Sequence, residues 1–342
     1  MKVAILSPVT WRTPPRNYGP WEQVASVLTE GLVKEGIDVT LFATGDSITG
    51  AKLKSVWERP LGEYTADAKV AECLHISNLM EQAASFDIIH NHFDFLPLTY
   101  SSLIRIPVIT TIHGFSSEDI VPVYKKYNPH TYYVSISNSD RHADLEYLDT
   151  VYNGLNELQF HFGQGKGDYL LYFGRIHPHK GAYEAIQIAV KANKRLILCG
   201  LIQDQAYFDE KVAPYLNDGR IMYMGNVGPK QRDQLLGDAL TLLHPISFEE
   251  PFGLSVAEAM MCGTPVIAFN RGSMNELIID GTTGFLVHTI DEAVLATSKI
   301  CNISRSECRK HAMNKFSSGT MAGNYIKLYE QIVRKTNSLK FY

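Results

Sequence analysis

The sequence contains no hydrophobic run near the roughly 18 to 20 residues that a membrane-spanning helix requires. Its five cysteines include no Cys-x-x-Cys pair, which fits reduced thiols in a cytoplasm better than a disulfide framework. Basic residues are not in excess either, because the net charge is −4 and residues 1–150 carry 12 basic against 18 acidic side chains. No basic surface for nucleic acid is therefore evident, and membrane association beyond a peripheral contact is not expected.

What the chain does have is the length and composition of an ordinary globular protein with room for two domains. Of its 342 residues, 45% are hydrophobic and 20% are charged, which is enough for two cores. The apolar run at the N-terminus, Met1–Pro8, is too short for a signal peptide and predicts a first β-strand. We therefore expect a cytoplasmic protein.

Short β-rich runs alternate with helical stretches along the chain, in two series. The first series predicts strands at Val3–Ser7, Val39–Ala43, Ser55–Glu58, Ile88–His90, Val108–Ile112, Tyr132–Ile136 and Val151–Tyr152. The second predicts strands at Tyr169–Phe173, Leu196–Cys199, Ile221–Tyr223, Leu240–Leu243, Val266–Ala268 and Phe285–Val287. Apolar spacing predicts helices at Glu22–Lys34, Tyr183–Lys191, Gln231–Gly237 and Tyr325–Val333. This alternation is typical of parallel, doubly wound sheets.

Two such series predict an α/β protein of two Rossmann-like domains that face each other across a cleft. We place the N-terminal domain at residues 1–160 and the C-terminal domain at residues 161–318. The polar, glycine-rich segment Gly163–Asp168 is interpreted as the linker between them. Ligands of such sheets bind beyond the carboxyl ends of the strands, and two domains joined near residues 155–168 are expected to close on a ligand.

The most informative segment is Phe248–Met260, in which two glutamates lie eight residues apart across a loop that turns into a helix. Gly253 interrupts the preceding apolar run, and the following residues favour a helix that begins near Ser255. The N-terminus of such a helix presents free N–H groups and the positive end of its dipole, which suit a diphosphate. Glu250 and Glu258 would then reach past either side of that diphosphate.

The residues after this segment extend the pattern to about forty residues. They are Cys262–Phe269, then Gly272–Ile278 and Asp280–Val287. Together with Glu250 and Glu258 in the spacing E-x7-E, they resemble the retaining glycosyltransferases of family 4. The resemblance implies a GT-B fold whose C-terminal helix, at residues 320–335, packs back on the first domain. It also implies transfer of a hexose, with retention, from a UDP- or GDP-sugar to a saccharide or small-molecule acceptor.

The resemblance further implies roles for individual residues of the donor site. Arg175 and Lys180 lie five residues apart in a strand-to-helix loop, where matching side chains hold the donor diphosphate in family 4. We expect the Lys180 side chain to be exposed in the empty site. Glu258 is assigned to the ribose hydroxyls and Glu250 to the transferred sugar. The remaining residues predicted to bind the donor are Gly19, Gly174, Met224, Gly225, Asn226, Val227, Phe252, Gly253, Leu254 and Ser255.

The first domain is expected to supply the acceptor side. His113 follows an apolar strand, and family members place a histidine here beside the transferred sugar, so we assign it to catalysis with Arg175, Lys180 and Glu250. The loop Thr10–Glu22 is long for a strand-to-helix turn, and its aromatic side chains either stack on sugars or join the core. Family members commonly have two adjacent glycines where this chain has only Gly19. The residues predicted to bind the acceptor are Trp11, Arg12, Arg16, Tyr18 and His92.

No metal or cofactor is expected. His90 and His92 offer at most two ligands at one strand end with no clear third, and in the family two cations replace a metal at the leaving group. Two other functions remain open at this stage. A nucleotide-sugar 2-epimerase would share the architecture and use Glu and His as acid and base, and a non-catalytic protein would bind the nucleotide sugar without turning it over.

Overall fold

The computed structural model describes residues 1–63, 67–115 and 117–339. The chain divides into two compact units. Unit 1 comprises residues 1–154 and the C-terminal segment that begins at Ser318, and unit 2 comprises residues 155–317. The first boundary therefore follows Gly154 and not residue 160, and the C-terminal segment groups with unit 1.

Unit 1 is built on parallel strands. Those that the structure describes are β1 (Lys2–Leu6), β2 (Asp38–Phe42), β3 (Lys52–Lys54), β4 (Ile88–Asn91), β5 (Val108–Ile112), β6 (Tyr132–Ser135) and β7 (Asp149–Thr150). Its first three α-helices are α1 (Pro20–Lys34), α2 (Ala68–Met80) and α3 (Val121–Tyr127). Within the described residues the strands form one sheet in the order β3-β2-β1-β4-β5-β6-β7. Since the order reverses direction at β1, the loops after β1 and β4 lie at a topological switch point.

The central strands of unit 1 form its core because they are apolar on both faces, whereas the edge strands β3 and β7 are largely exposed. Four of the five residues of β1 are buried, and only Lys2 is exposed. Val3 pairs with Val39 on one side and with Ile88 on the other, and all three side chains are at most 3% exposed. Continuous apolar strands of this kind are typical of parallel sheets covered on both faces.

Unit 2 repeats the same topology. Its described strands are β8 (Tyr169–Phe173), β9 (Arg195–Cys199), β10 (Ile221–Tyr223), β11 (Thr241–His244), β12 (Val266–Phe269) and β13 (Gly284–Val287). Its α-helices are α4 (Ala182–Lys191), α5 (Gln205–Tyr207), α6 (Pro229–Asp238), α7 (Leu254–Met261), α8 (Met274–Leu277), α9 (Ile290–Lys299) and α10 (Arg305–Phe316). The parallel order β10-β9-β8-β11-β12-β13 puts its switch point at β8. The predicted fold class of two doubly wound parallel sheets is confirmed.

The last helix, α11 (Ser318–Leu339), belongs to unit 1. It packs closely on α1, since a β-carbon at Gly31 would lie 3.0 Å from the Cβ of Ala322. Tyr325 and Tyr329 of α11 are at most 1% exposed. None of the helices in the described ranges has both the length and the apolar character needed to cross a membrane.

Two strand predictions in unit 1 are misplaced. The predicted strand Ser55–Glu58 is irregular, and the strand lies just before it, where Lys52–Lys54 pairs with β2. The indole N–H of Trp57 donates instead to the Ala71 carbonyl of α2 (3.2 Å). The last strand ends at Thr150, before the predicted Val151–Tyr152.

The predicted linker Gly163–Asp168 is part of unit 2. The Gly163 N–H donates to the Cys262 carbonyl (2.9 Å), and the Gly165 N–H donates to the Gly237 carbonyl (3.1 Å). Arg305 donates from its Nε to the Gly163 carbonyl (3.1 Å). Polar, glycine-rich composition predicts a linker between the domains here, but these bonds attach the backbone to the ends of α6, α7 and α10.

Candidate active site

The loop after β8 is packed against the loop after β9. The Gly174 N–H donates to the Cys199 carbonyl (3.0 Å). Gly200 permits this approach because its φ is 146° and a β-carbon there would lie 1.8 Å from the Gly174 carbonyl oxygen. Arg175, the next residue, is thereby held at the carboxyl end of the unit 2 sheet.

Arg175 and Lys180 line the same cavity of unit 2, with a volume of about 110 Å³. Its lining consists of Arg175, His177, His179, Lys180, Gln203 and Phe248. Arg175 donates from Nη1 to Gln203 Oε1 (2.7 Å), which uses one of the five N–H donors of the guanidinium. Two permanent cations at one small cavity form an arrangement that suits phosphate oxygens.

Glu250 is paired with Lys180 below this cavity. Lys180 Nζ donates to Glu250 Oε2 (2.7 Å) and lies 4.3 Å from the centre of the Phe248 ring. His244 Nε2 lies 3.6 Å from the same carboxylate oxygen, beyond hydrogen-bond distance. Burial by itself would raise the pKa of Glu250, but His244 and Lys180 outweigh it and lower the pKa to about 2. Glu250 is therefore an ionised carboxylate.

The expectation that Lys180 is exposed in the empty site is wrong. Its side chain is 16% exposed, and that of Glu250 is 11% exposed. A carboxylate so deeply buried needs a partner of opposite charge, and Lys180 supplies it. No sequence pattern indicates this pairing, because the two residues are 70 positions apart.

A tight turn after β12 supports the backbone around Glu250. Gly272 has a φ of 56°, and a β-carbon there would lie 2.3 Å from the Glu250 nitrogen. The Ser273 N–H donates to the Glu250 carbonyl (3.0 Å), and the Ser273 hydroxyl donates to the Phe252 carbonyl (2.6 Å). The Phe252 side chain packs edge-on against Phe316 and is 2% exposed. The Phe252 side chain therefore belongs to the core, and the assignment of this residue to the donor stays a prediction.

Helix α7 begins at Leu254, one residue before the predicted start. Gly253 caps it in the left-handed conformation, with a φ of 89°. The Val256 N–H donates to the Gly253 carbonyl (3.0 Å), so the amides of Leu254 and Ser255 precede this bond in the first turn of the helix. Amides in this position are suited to an anion.

Glu258, on α7, also lies against a basic residue. Arg232 Nη1 of α6 is 3.1 Å from Glu258 Oε1, and the two side chains are 17% and 7% exposed. Burial raises the pKa of Glu258, and the Arg232 charge opposes that rise. Sequence reasoning missed Arg232 because α6 meets α7 only in the folded unit, and no local motif marks the arginine.

The segment predicted to frame the base, Met224 to Val227, follows β10 at the same edge of the sheet. The Gly225 carbonyl accepts a hydrogen bond from the Gly200 N–H (2.9 Å), which joins this segment to the loop after β9. Met224 is 38% exposed and Asn226 is exposed, whereas Val227 is buried. Side chains of Met224 and Asn226 are thus accessible to a ligand.

In unit 1 the loop after β1 folds over the start of α1. The Trp11 N–H donates to Glu22 Oε1 (3.0 Å), and burial raises the pKa of Glu22 to about 7. A β-carbon at Gly19 would lie 2.9 Å from the Cβ of Pro15 and 3.0 Å from Glu22 Oε2. Gly19 is buried, so it serves the packing of this loop.

The other loop residues predicted to bind the acceptor differ in their surroundings. Arg12 donates from Nε to the Pro14 carbonyl (3.0 Å) and is half-buried. Arg16 has a side chain that is 59% exposed and lies 3.7 Å from Asp46. Trp11 and Tyr18 are half-buried. These four side chains keep accessible surface, and their assignment to the acceptor stays a prediction.

His113 lies in a cluster of rings at the ends of β4 and β5. His113 Nε2 is 2.9 Å from His92 Nδ1, and the Trp21 ring stacks on His113 with centres 5.6 Å apart. Burial lowers the pKa of His113 to about 3, so the ring is neutral. His92 is fully buried and its side chain reaches His113, and its assignment to the acceptor stays a prediction.

His90 and Asp94 of unit 1 are engaged by protein groups. His90 bonds through its ring nitrogens with the hydroxyls of Tyr329 (2.6 Å) and Thr111 (2.7 Å). Asp94 accepts a hydrogen bond from the Tyr124 hydroxyl. Among the described residues, no group of three or more His, Cys, Asp or Glu side chains has a geometry that could hold a metal ion. Metal independence itself stays a prediction.

Two doubly wound sheets, with paired acids and bases at the carboxyl end of the second, define a two-domain GT-B glycosyltransferase. Sequence profiles agree with this class. The profile of Glycosyltransferase Family 4 matches residues 22–149, and that of Glycosyl transferases group 1 matches residues 156–315. The chain belongs to the family 4, group 1 glycosyltransferases.

Similar proteins cover both units. An uncharacterised glycosyltransferase of Methanocaldococcus jannaschii is 24% identical over 338 residues, covering 84% of this chain and 85% of that protein. The crystal structure of AviGT4, a glycosyltransferase involved in avilamycin A biosynthesis, superposes with a TM-score of 0.76 at 23% identity, over 98% of both chains. Anabaena HepE, in complex with UDP and glucose, superposes with a TM-score of 0.74 at 19% identity, over 96% of this chain and 99% of that one. These structures share the fold.

Proposed function

We propose that this enzyme transfers a hexose from a UDP- or GDP-sugar to a saccharide or small-molecule acceptor, with retention of configuration and without a metal. The observation that carries the proposal is the shared cavity of Arg175 and Lys180, next to the ionised Glu250. A diphosphate in that cavity would meet two permanent positive charges, and the start of α7 would offer it backbone N–H groups.

The donor assignment follows from the groups around this cavity. Lys180 has three N–H donors, so its ammonium can keep its bond to Glu250 while it contacts a phosphate oxygen. Glu250 would accept hydrogen bonds from hydroxyls of the transferred sugar, and Glu258 from those of the ribose. The complex of HepE with UDP and glucose supports a nucleotide-linked hexose as the donor.

The chemical step needs charge stabilisation more than a nucleophile. The bond between the sugar C1 and the diphosphate oxygen breaks, and Arg175 and Lys180 offset the negative charge that forms on the leaving group. The acceptor hydroxyl attacks C1 from the same face, and the departing phosphate oxygen takes its proton. His113, neutral in this structure, would contact the transferred sugar as a hydrogen-bonding group.

The acceptor is assigned to unit 1, through the loop after β1. Trp11 and Tyr18 offer aromatic faces to a sugar ring, and Arg12 and Arg16 offer N–H donors. The acidic balance of residues 1–150 disfavours an anionic lipid surface. A saccharide or another small hydroxylated molecule fits these side chains better.

The test is to incubate the purified protein with UDP- and GDP-hexoses, with and without saccharide acceptors, and to follow nucleotide release and product by NMR. We expect acceptor-dependent release of nucleoside diphosphate, a product with the anomeric configuration of the donor, and unchanged rates in EDTA. Inverted product, or activity that EDTA removes and manganese restores, would contradict the mechanism. An epimerised free sugar, or binding without turnover, would contradict the transferase itself.

A further inference from the structure

Arg232 is held in a defined position by two contacts within unit 2. Its Nη1 lies 3.1 Å from Glu258 Oε1, and its guanidinium carbon lies 5.4 Å from the centre of the Phe160 ring. Phe160 is 3% exposed, so the guanidinium is packed between a core aromatic ring and a carboxylate. Its Nε is buried and has no hydrogen-bond partner among the described residues.

The Arg232 charge matters because Glu258 is itself buried, with the residue 5% exposed. Burial favours the protonated form of a carboxyl group, and a nearby cation favours the ionised form. Only the ionised carboxylate has acceptor sites free on both oxygens, whereas the protonated group is partly a donor. A carboxylate that is to bind two hydroxyl donors therefore requires a charge such as that of Arg232.

We propose that Arg232 is a positioning residue of the nucleotide site, whose guanidinium keeps the Glu258 carboxylate ionised and oriented to accept hydrogen bonds from the ribose hydroxyls. This inference rests on the proposed function and deepens it. Arg175 and Lys180 act on the diphosphate, which every nucleoside diphosphate shares. Arg232 acts through Glu258, so its contribution is confined to the recognition of ribose.

The test compares ribose and deoxyribose ligands by calorimetry. UDP and GDP are titrated beside their 2′-deoxy and 3′-deoxy counterparts into the wild-type protein, Arg232→Met and Arg232→Lys. Because a hydrogen bond to a charged group is strong, we expect the wild type to prefer the ribose form by roughly tenfold or more. Arg232→Met should lose most of the preference for ribose, and its affinity for the deoxy nucleotides should be nearly that of the wild type. Arg232→Lys should recover part of the preference.

A matched control removes a charge from the same helix without touching Glu258. Lys230 lies on α6 two residues before Arg232 and is exposed. Lys230→Met should retain the preference for ribose. If Lys230→Met loses the preference as Arg232→Met does, the preference depends on the overall charge of α6 and the inference is wrong.

The pH dependence supplies a second readout. The charged and titratable groups that act on Glu258 are Arg232 from α6 and Cys262 after α7, and Cys262 in turn lies near Asp233 from α6 and Arg309 from α10. Strand β12 contributes none, and His244 of β11 lies against Glu250 instead. In Arg232→Met the burial that raises the pKa of Glu258 is unopposed. When the pH is lowered from 8 to 6, the ratio of ribose to deoxyribose affinity should therefore fall in this variant at a higher pH than in the wild type.

Two further results decide the matter even if Arg232→Met folds poorly. Arg232→Met combined with Glu258→Gln has no unpaired buried carboxylate, and it should bind UDP and GDP as weakly as Glu258→Gln alone. A substantial further loss, or an equal loss for ribose and deoxyribose ligands in the single variant, would overturn the inference. A wild-type protein that binds neither UDP nor GDP contradicts the proposed function, whereas a ribose preference that survives in Arg232→Met contradicts only the role of Arg232.

Discussion

Glu250 and Glu258 each lie against a basic side chain from another element of unit 2. Lys180 reaches Glu250 from the loop after β8, and Arg232 reaches Glu258 from α6. Neither carboxylate is more than 11% exposed at its side chain, and a buried charge without a partner is costly. The E-x7-E pattern thus identifies the acidic members of two ion pairs but not their basic partners.

The two glutamates should differ in what they contribute. We expect Glu258→Ala to weaken binding of UDP or GDP by roughly 1.5 to 3 kcal/mol, the range for a charge-assisted hydrogen bond. Glu250→Ala should chiefly lower kcat, because the proposed function assigns that acid to the reacting sugar. Calorimetry and steady-state kinetics separate the two effects, and an unchanged nucleotide affinity in Glu258→Ala would refute its assignment to the ribose.

Removal of Lys180 should also cost stability. Lys180→Met removes the amine that pairs with the buried Glu250 carboxylate and leaves His244 beside it. We expect a loss of about 3 kcal/mol in the free energy of unfolding at neutral pH. Without Lys180 the pKa of Glu250 should rise from its lowered value, because one of the two groups that lower it is gone. The deficit in stability relative to the wild type should therefore shrink at acid pH, where Glu250 takes up a proton in the variant before it does so in the wild type. Denaturant unfolding at pH 8 and at about pH 4 measures both effects.

Lys191 provides the control for this variant. Its ion pair with Asp291 is on the surface, with side chains 50% and 80% exposed. Lys191→Met should change stability by at most about 0.5 kcal/mol. An equal, small effect of Lys180→Met and Lys191→Met would show that the Lys180 pair is not buried as the structure has it.

The conformation of the loop that carries Glu250 depends on the turn at Gly272 and Ser273. The turn contacts the loop through backbone atoms, with the Ser273 N–H donating to the Glu250 carbonyl (3.0 Å). Contact at this distance leaves no room for a side chain at Gly272. The position of the carboxylate therefore depends on a glycine 22 residues later in the chain.

Gly272→Ala should displace this loop. Its β-carbon would lie 2.3 Å from the Glu250 nitrogen, whereas Gly281→Ala has a similar φ of 72° and open space around the β-carbon. We expect Gly281→Ala to lower the free energy of unfolding by about 1 kcal/mol through backbone strain alone. Gly272→Ala should lower it by at least about 2 kcal/mol more and should also reduce the affinity for the donor. Equal losses in the two variants, measured by denaturant unfolding, would contradict this account.

How far the sequence predicts these features depends on whether their cause is local. The helix after Gly253 and most strands of both sheets follow from apolar patterns within a few residues, and the sequence places them to within one or two positions. The exceptions are the predicted strands Ser55–Glu58 and Val151–Tyr152, which lie after the observed ones. The pairs Lys180 with Glu250 and Arg232 with Glu258 arise from packing between distant elements. Gly163–Asp168 was misread for the same reason, since its bonding partners lie near residues 237 and 262.

Unit 1 contains several histidines that are uncharged because they are buried. Burial lowers the pKa of His75 to about 4 and that of His113 to about 3, and it also lowers the pKa values of His90 and His92. In the unfolded chain these groups bind protons below about pH 6.5. The unfolded state therefore gains protons first, and the stability of unit 1 should fall as the pH drops through the window from about 6.5 to 4.

This acid sensitivity can be assigned to single residues. His75→Gln keeps a group that can donate to the Ser7 carbonyl, which His75 Nε2 contacts at 2.9 Å. Between pH 7.5 and 5.0, the free energy of unfolding of this variant should fall by up to about 2 kcal/mol less than that of the wild type. The exposed His130 of the same unit is the control, and His130→Gln should follow the wild type. Identical pH profiles for all three proteins would rule out the buried histidine as the cause.

The discontinuity of unit 1 has a consequence for how the protein is made. The bond between His90 and Tyr329 joins residues 239 positions apart, and the ribosome must synthesise all of unit 2 before α11 exists. At typical translation rates this takes roughly ten to thirty seconds. During that time the nascent first unit presents the surface of α1 that α11 later covers, together with the His90 ring nitrogen that later contacts Tyr329. A growing chain in this state is a substrate for chaperones, and truncation anywhere within unit 2 leaves both units incomplete.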